Sequence, residues 1–186
     1  MPLHTRNLVT LLATVVCTVN TLLADPICFE GESATQVTEP MEISGSETAK
    51  DAVSKAALKD ASGKKALDIR QGKGNPPKVT TGKAEYQFDV AADGEYFLWC
   101  RVWWLDECAN SFTMNLDEAR SFTFGQDGTY KSWHWVKAPP RLKQLSLSKG
   151  RHKLVVACRE DGAMLDQIIL TTNKRYVPVG IEAPSR

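Results

Sequence analysis

The feature that most constrains this chain is a recurring alternation. From Lys83 onward, short runs alternate apolar with polar residues, and turn dipeptides separate them at intervals of roughly ten residues. Tyr86, Phe88 and Val90 alternate before Asp93-Gly94. Phe112, Met114 and Leu116 come later, then Phe122 and Phe124 before Asp127-Gly128. Leu145 and Leu147 precede Lys149-Gly150, Leu154 and Val156 precede Asp161-Gly162, and Leu165 to Thr171 is a last apolar strand. Many short period-two strands with little helix predict an all-β fold, a two-layer β-sandwich.

One stretch stands out within this pattern, Gly94 to Asn115. Tyr96, Leu98, Cys100, Val102 and Trp104 share one face, while Phe97, Trp99 and Trp103 share the other with Glu95 and Arg101. A strand apolar on both faces is central and covered on both sides. It runs into a polar turn, Asp106 to Asn110, before the next strand begins at Ser111. Upstream, Asp25 to Ile43 reads as one or two short strands around Cys28 to Glu32, and Lys65 to Ile69 as another. Thr48 to Leu58 is rich in Ala and Lys and reads as a short helix or a surface loop; Gln71 to Thr81 is a loop.

The chain has 186 residues, the size of one ordinary domain. Residues 1–24 read as a signal peptide: Arg6 supplies the positive start, Leu8 to Val19 the apolar run, and Ala24 the cleavage position. The expected location is therefore secreted, whether periplasmic or extracellular. Residues 25–176 form the sandwich and 177–186 an irregular tail. The leader carries one Arg and no acid, so the remainder has 22 Lys plus Arg and 22 Asp plus Glu. Zero net charge argues against a nucleic-acid partner and against a polybasic membrane anchor.

Enzyme signatures are weak. His134 and His152 are the histidines outside the leader, and no Ser or Cys lies in a nucleophile motif. Acid pairs occur at Asp117-Glu118 and Glu160-Asp161, both in turn-like sequence where acids serve local hydrogen bonds. The five tryptophans say more. Most strand tryptophans are core, but Trp104 stands at a strand end beside polar loop residues. That setting suits stacking on the apolar face of a sugar ring.

Three stretches carry a resemblance. CFEGESA has a Glu-x-Glu strand, AEYQFDVAADGEYFLWCRV an apolar strand, a Gly-x-Tyr turn and a strand ending in Arg-Val, and LSLSKGRHKLVVACREDGAMLDQIIL a final strand pair with Asp near the start of the last strand. Together these resemble the galactose-binding-like jelly-roll of carbohydrate-binding module families six and thirty-five. The resemblance implies non-catalytic binding of a polysaccharide or glycan, and structural calcium held by Glu30, Glu32 and Asp166. It implies a sugar site at Trp104, Asp106 and Asn110, with Tyr130, Trp133 and Arg159 as further candidates. The family's Asn before the last strand has no counterpart between Glu160 and Met164. The partners expected are a carbohydrate and, as a further option, a secreted or cell-surface enzyme complex.

Four cysteines remain outside the leader, an even number compatible with two disulfides. In the same frame, Cys100 would meet Cys158 in the core and Cys28 would pin Cys108. The alternative is that Cys100 and Cys158 are buried free thiols. Two other functions stay open: a structural or adhesion sandwich whose tryptophans are all core, and a small polysaccharide-active hydrolase or lyase on the same scaffold.

Overall fold

The computed structural model describes residues 26–73, 82–139, 142 and 145–185. The leader and most of the Gln71–Thr81 loop lie outside them.

Among the described residues, twelve strands and one short α-helix follow in order: β1 (Ile27–Glu30), β2 (Gln36–Thr38), β3 (Met41–Gly45), α1 (Ala52–Ala57), β4 (Lys65–Ile69), β5 (Lys83–Val90), β6 (Gly94–Trp104), β7 (Ser111–Leu116), β8 (Phe122–Gly125), β9 (His134–Lys137), β10 (Leu145–Leu147), β11 (Gly150–Ala157) and β12 (Ala163–Thr171). They form two antiparallel sheets. The five-stranded sheet runs β2-β5-β11-β7-β8. The seven-stranded sheet runs β10-β6-β12-β4-β3, with β1 added on β12 and β9 on β6. This is the sandwich expected from the alternation.

The inner faces meet in one core. Tyr86 and Phe88 from β5, Leu98, Val102 and Trp104 from β6, and Phe112 and Met114 from β7 all face into it. Full burial of side chains of this size contributes about 1.5–3 kcal/mol each. β6 is central, as its two apolar faces predict. Its inward set is buried, and on its outward side Arg101 and Trp103 are buried too. β12 is buried along its whole length. A bulge between Leu165 and Gln167 shifts its register on β6 and places Asp166 at the irregularity.

A second apolar cluster forms on the outer face of the seven-stranded sheet. Leu58 and Ala61, which follow α1, close over Trp103, Leu105 and Met164. The helix starts at Asp51, whose Oδ1 accepts the Ser54 N–H at 2.8 Å. Beyond Thr171 the chain is irregular, yet it is pinned to the sheet. Gln167 and Glu182 exchange two hydrogen bonds of 2.8 and 2.9 Å, and Cys28 and Ser185 exchange another two of 2.8 Å each.

The expected disulfides are corrected by this arrangement: Cys28, Cys100, Cys108 and Cys158 are all free. Cys100 and Cys158 do share the core, but from opposite sheets. Their sulfurs, like those of the other cysteines among the described residues, are not bonded. Cys28 pairs with Ile169 and Trp104 with Ala163. Those positions are about 20 Å apart along β12, which separates Cys28 from the loop that carries Cys108.

Candidate functional site

A concavity lies on the outer face of the seven-stranded sheet. It is an open cleft of about 800 Å³ between α1 and the segment that precedes β9. Trp103 forms its floor, the α1 residues Ala52, Val53 and Ala56 one wall, and Trp133 the other. Asp60, Arg101, Lys131 and Ser132 add polar groups.

Trp133 is held from two sides. Its indole N–H donates to the Ala57 carbonyl at 2.7 Å. The Arg101 guanidinium lies 5.3 Å from the ring centroid, a cation–π distance. Arg101 is itself fixed by a buried ion pair with Asp166 and by bonds of 3.3 and 3.4 Å to the Asp60 carbonyl. An outward arginine between two outward tryptophans thus anchors the cleft to Asp166 of β12.

The sequence-derived candidates separate. Trp104, expected as an exposed loop aromatic, is fully buried against Phe112, and that expectation is corrected. β6 runs to Trp104 without a break, so the alternation that turns Leu98 and Val102 inward turns Trp104 inward as well. Its task is positional. Its carbonyl accepts the Lys131 N–H at 2.7 Å, and its indole N–H donates to Asp127 Oδ1 at 3.1 Å. His134 Nε2 stands 2.8 Å from the other oxygen of Asp127. Trp104 therefore fastens the loop that presents Trp133.

Asp106 accepts the Cys108 N–H at 2.9 Å and closes its own turn. Asn110 is buried; its N–H donates to Glu160 Oε2 at 3.0 Å, and its side-chain oxygen has no partner. Arg159 bonds to Glu160 and to Ser111 in the same loop network. Tyr130 is exposed. Of the six, Trp133 alone lines the cleft. Trp103, Asp60, Arg101, Lys131 and Ser132 were not among the candidates. The one available signal was Arg101, a charge in an apolar row of a central strand.

The expected calcium ligands can be tested against their surroundings. Glu30 Oε1 accepts from the Ser62 hydroxyl at 2.9 Å and from Gln167 at 3.1 Å, while Oε2 is buried without a partner. Glu32 Oε2 is likewise buried and unpartnered. Burial, then the charges of Glu30 and Asp166, push the Glu32 carboxyl up to about 7 despite a local backbone bond. Asp166 differs, because the Ser62 N–H at 2.8 Å and Arg101 already serve it. Among the described residues, no group of three or more His, Cys, Asp or Glu is arranged to hold a metal. The two glutamates keep oxygens a cation needs, and Asp166 is engaged by Arg101. Gly31, between them, runs against β12 so closely that a Cβ would stand 2.0 Å from the Leu165 carbonyl oxygen. That contact fixes the Glu-x-Glu segment to the last strand.

No protein-family model matches the sequence, and no curated protein matches it. Solved structures do share its fold. A GH26-CBM35 β-(1,4)-mannanase from Podospora anserina matches with a TM-score of 0.57 at 17% identity, over 82% of this chain. This chain spans only 29% of that enzyme. A family 35 carbohydrate-binding module from Clostridium thermocellum gives 0.53 at 15% identity, covering 79% of this chain and 98% of the module. The C-terminal CBM6 of a marine laminarinase from Zobellia galactanivorans gives 0.50 at 14% identity, over 79% and 99%. The fold is a galactose-binding-like β-sandwich. Its architecture is that of carbohydrate-binding module families six and thirty-five.

Proposed function

We propose that this chain is a secreted, non-catalytic carbohydrate-binding domain whose ligand lies in the Trp103–Trp133 cleft. The observation that carries this reading is the cleft itself. It offers an indole fixed by a hydrogen bond and a guanidinium, a second indole beneath, and Asp60, Lys131 and Ser132 within reach of hydroxyl groups. A pre-positioned aromatic with a few polar groups is how apolar sugar faces and their hydroxyls are recognised together. Glycoside hydrolysis uses two carboxyl groups, and Asp60 is the one carboxylate among the described cleft residues. The carbohydrate-binding modules of the same fold support the reading.

The test is retention on a panel of immobilised polysaccharides that includes mannan and laminarin. Wild type should be retarded on at least one, and Trp133→Ala should lose that retention while its circular dichroism is unchanged. A folded sample that binds nothing across a broad glycan panel would overturn the reading.

We further propose that Glu30 and Glu32 hold a structural calcium, with water or backbone oxygens completing its shell. Their unpartnered buried oxygens support this. An ion bound there would neutralise charge that the fold otherwise leaves buried, and would tie β1 to β12. Chelator should lower the melting temperature of wild type, since losing a ligand of the native state removes its linkage stabilisation. In Glu30→Gln/Glu32→Gln the chelator-induced drop should shrink. A drop of undiminished size would rule these ligands out.

A further inference from the structure

Behind the cleft lies a smaller cavity, between α1, β4 and the outward end of β6. It measures about 20 Å³, room for one water-sized or ion-sized body. Val53, Trp103 and Leu105 line both it and the cleft. Apart from the Trp103 indole N–H, its polar side chains among the described residues carry oxygen: Asp51, Ser54, Asp68 and Gln71. No Lys, Arg or His lines it among the described residues.

Asp68, on β4, is only 1% exposed. Ser44 and Ser54 hydrogen-bond to its side chain, while Oδ1 has no partner. Asp51 divides in the same way: Oδ1 caps α1, and Oδ2 is buried without a partner. Of the nearby cations, Lys50 lies 2.7 Å from Glu42, and Arg70, whose Nε has no hydrogen-bond partner, lies 3.8 Å from Glu42; neither lines the cavity. Burial raises the Asp68 carboxyl to about 6; the two serines oppose the shift, and the charges of Asp51 and Glu42 add to it. A buried carboxylate with no compensating charge is costly, and two unpartnered oxygens beside one ion-sized space call for a cation.

We propose that Asp51 and Asp68 hold a divalent cation of the hard, oxygen-seeking class, calcium being the ion that fits. Ser54 and Gln71 add protein oxygens, and water completes the shell. This site is separate from Glu30 and Glu32, and it does not rest on the carbohydrate reading. The ion ties the start of α1 to β4 and so fixes the helical wall of the cleft.

The test uses the full chain with Glu30→Gln and Glu32→Gln, which removes the other candidate ion. Terbium is titrated in, its emission sensitised by Trp103, and calcium is then used to displace it. The expected result is saturable emission, displaced by calcium and weakened at least tenfold in affinity by Asp68→Asn. Trp103→Phe should lower the emission per bound terbium ion. Asp51→Asn keeps a capping oxygen and serves as a second variant, with the same tenfold loss expected. If the glutamine background does not fold, the wild-type chain should show two binding steps, one of them lost in Asp68→Asn. No saturable uptake by the folded parent, or unchanged affinity in the folded variants, overturns the proposal. The cavity then belongs to a water molecule or to a protonated Asp68.

Discussion

Trp103 and Trp104 are consecutive residues with opposite fates. Trp104 packs between the sheets with Phe112, inside a core built by strand alternation. Trp103 packs outward, under a cover supplied by α1 and the residues after it. The first region is closed on both sides by sheets. The second is closed by one short helix of six residues and leaves a cleft at its edge. A core between two sheets has no room for a ligand, whereas a patch capped by a loop insertion can keep part of its apolar surface open. In this sandwich the candidate binding site is a by-product of incomplete cover.

The largest effect expected from this contrast is on stability. Trp104→Ala should cost about 3–5 kcal/mol, the range for truncating a fully buried large aromatic. Trp103→Ala should cost less, because the short cover over it can collapse and part of its surroundings is solvent. Urea unfolding of the two variants measures both. Equal losses would mean that the outer cluster is as tightly built as the inner core, and the distinction between them would fail.

Much of the inner core was legible from the chain. Period two marks inward positions without any knowledge of partners, and β5, the first part of β6, β7, β10 and β11 follow it, whereas β4 and β12 are buried on both faces. It also held the correction for Trp104, which shares the inward set with Leu98, Cys100 and Val102. The outer site was less legible for a physical reason. Its walls come from α1, from residues 131–133 and from β6, segments far apart in sequence that no local pattern joins. Trp133 was reachable through its resemblance to a family segment. Asp60 and Lys131 carry no signal of their own, since exposed charges in loops are commonplace. The buried acids were partly visible: Glu30 and Glu32 through their spacing, but not Asp68, which reads as one polar residue in a short strand.

A smaller effect separates the two ends of the inner core by pH. His152 is buried, stacked on Phe88 at 5.8 Å, with Nδ1 2.5 Å from Asp117 and Nε2 2.8 Å from the Ser148 carbonyl. Both ring nitrogens face acceptors, so the charged ring satisfies both. Burial disfavours that charge, but the bonds to Asp117 and Ser148 outweigh it and raise the histidine pKa above its ordinary 6.5. Burial of Asp117 works the other way from its bond to His152, and its pKa ends below the ordinary 3.8. The histidine's contribution is complete below its unfolded value and lost as pH rises through the raised folded value; the aspartate's is complete above its unfolded value and lost as pH falls through the lowered one. The pair is worth most between about pH 4 and 6.5. Stability measured from pH 6 upward should fall, and His152→Gln should flatten that slope while polysaccharide retention persists. A slope unchanged in His152→Gln would place the titration elsewhere.

The smallest effect concerns the thiols, and it reports on the same difference in cover. Cys100 is enclosed by the inner core, and burial raises its thiol well above the usual range. Cys28 and Cys158 are pushed up to about 12, again by burial, with help from Glu30 and from Asp161 respectively. Cys108 is exposed in the β6–β7 loop, beyond both apolar regions. Alkylation of the native protein should therefore label Cys108 alone among these four, while unfolding should release the other three together. Labelling at Cys108 should change stability by no more than about 0.5 kcal/mol, as for other surface substitutions. Mass spectrometry decides it: fewer than four alkylated thiols in the unfolded, unreduced chain would restore a disulfide. If Cys28 or Cys158 instead reacts before global unfolding, the strands that carry them open locally, and the inner core is less uniformly closed than the comparison of the two tryptophans requires.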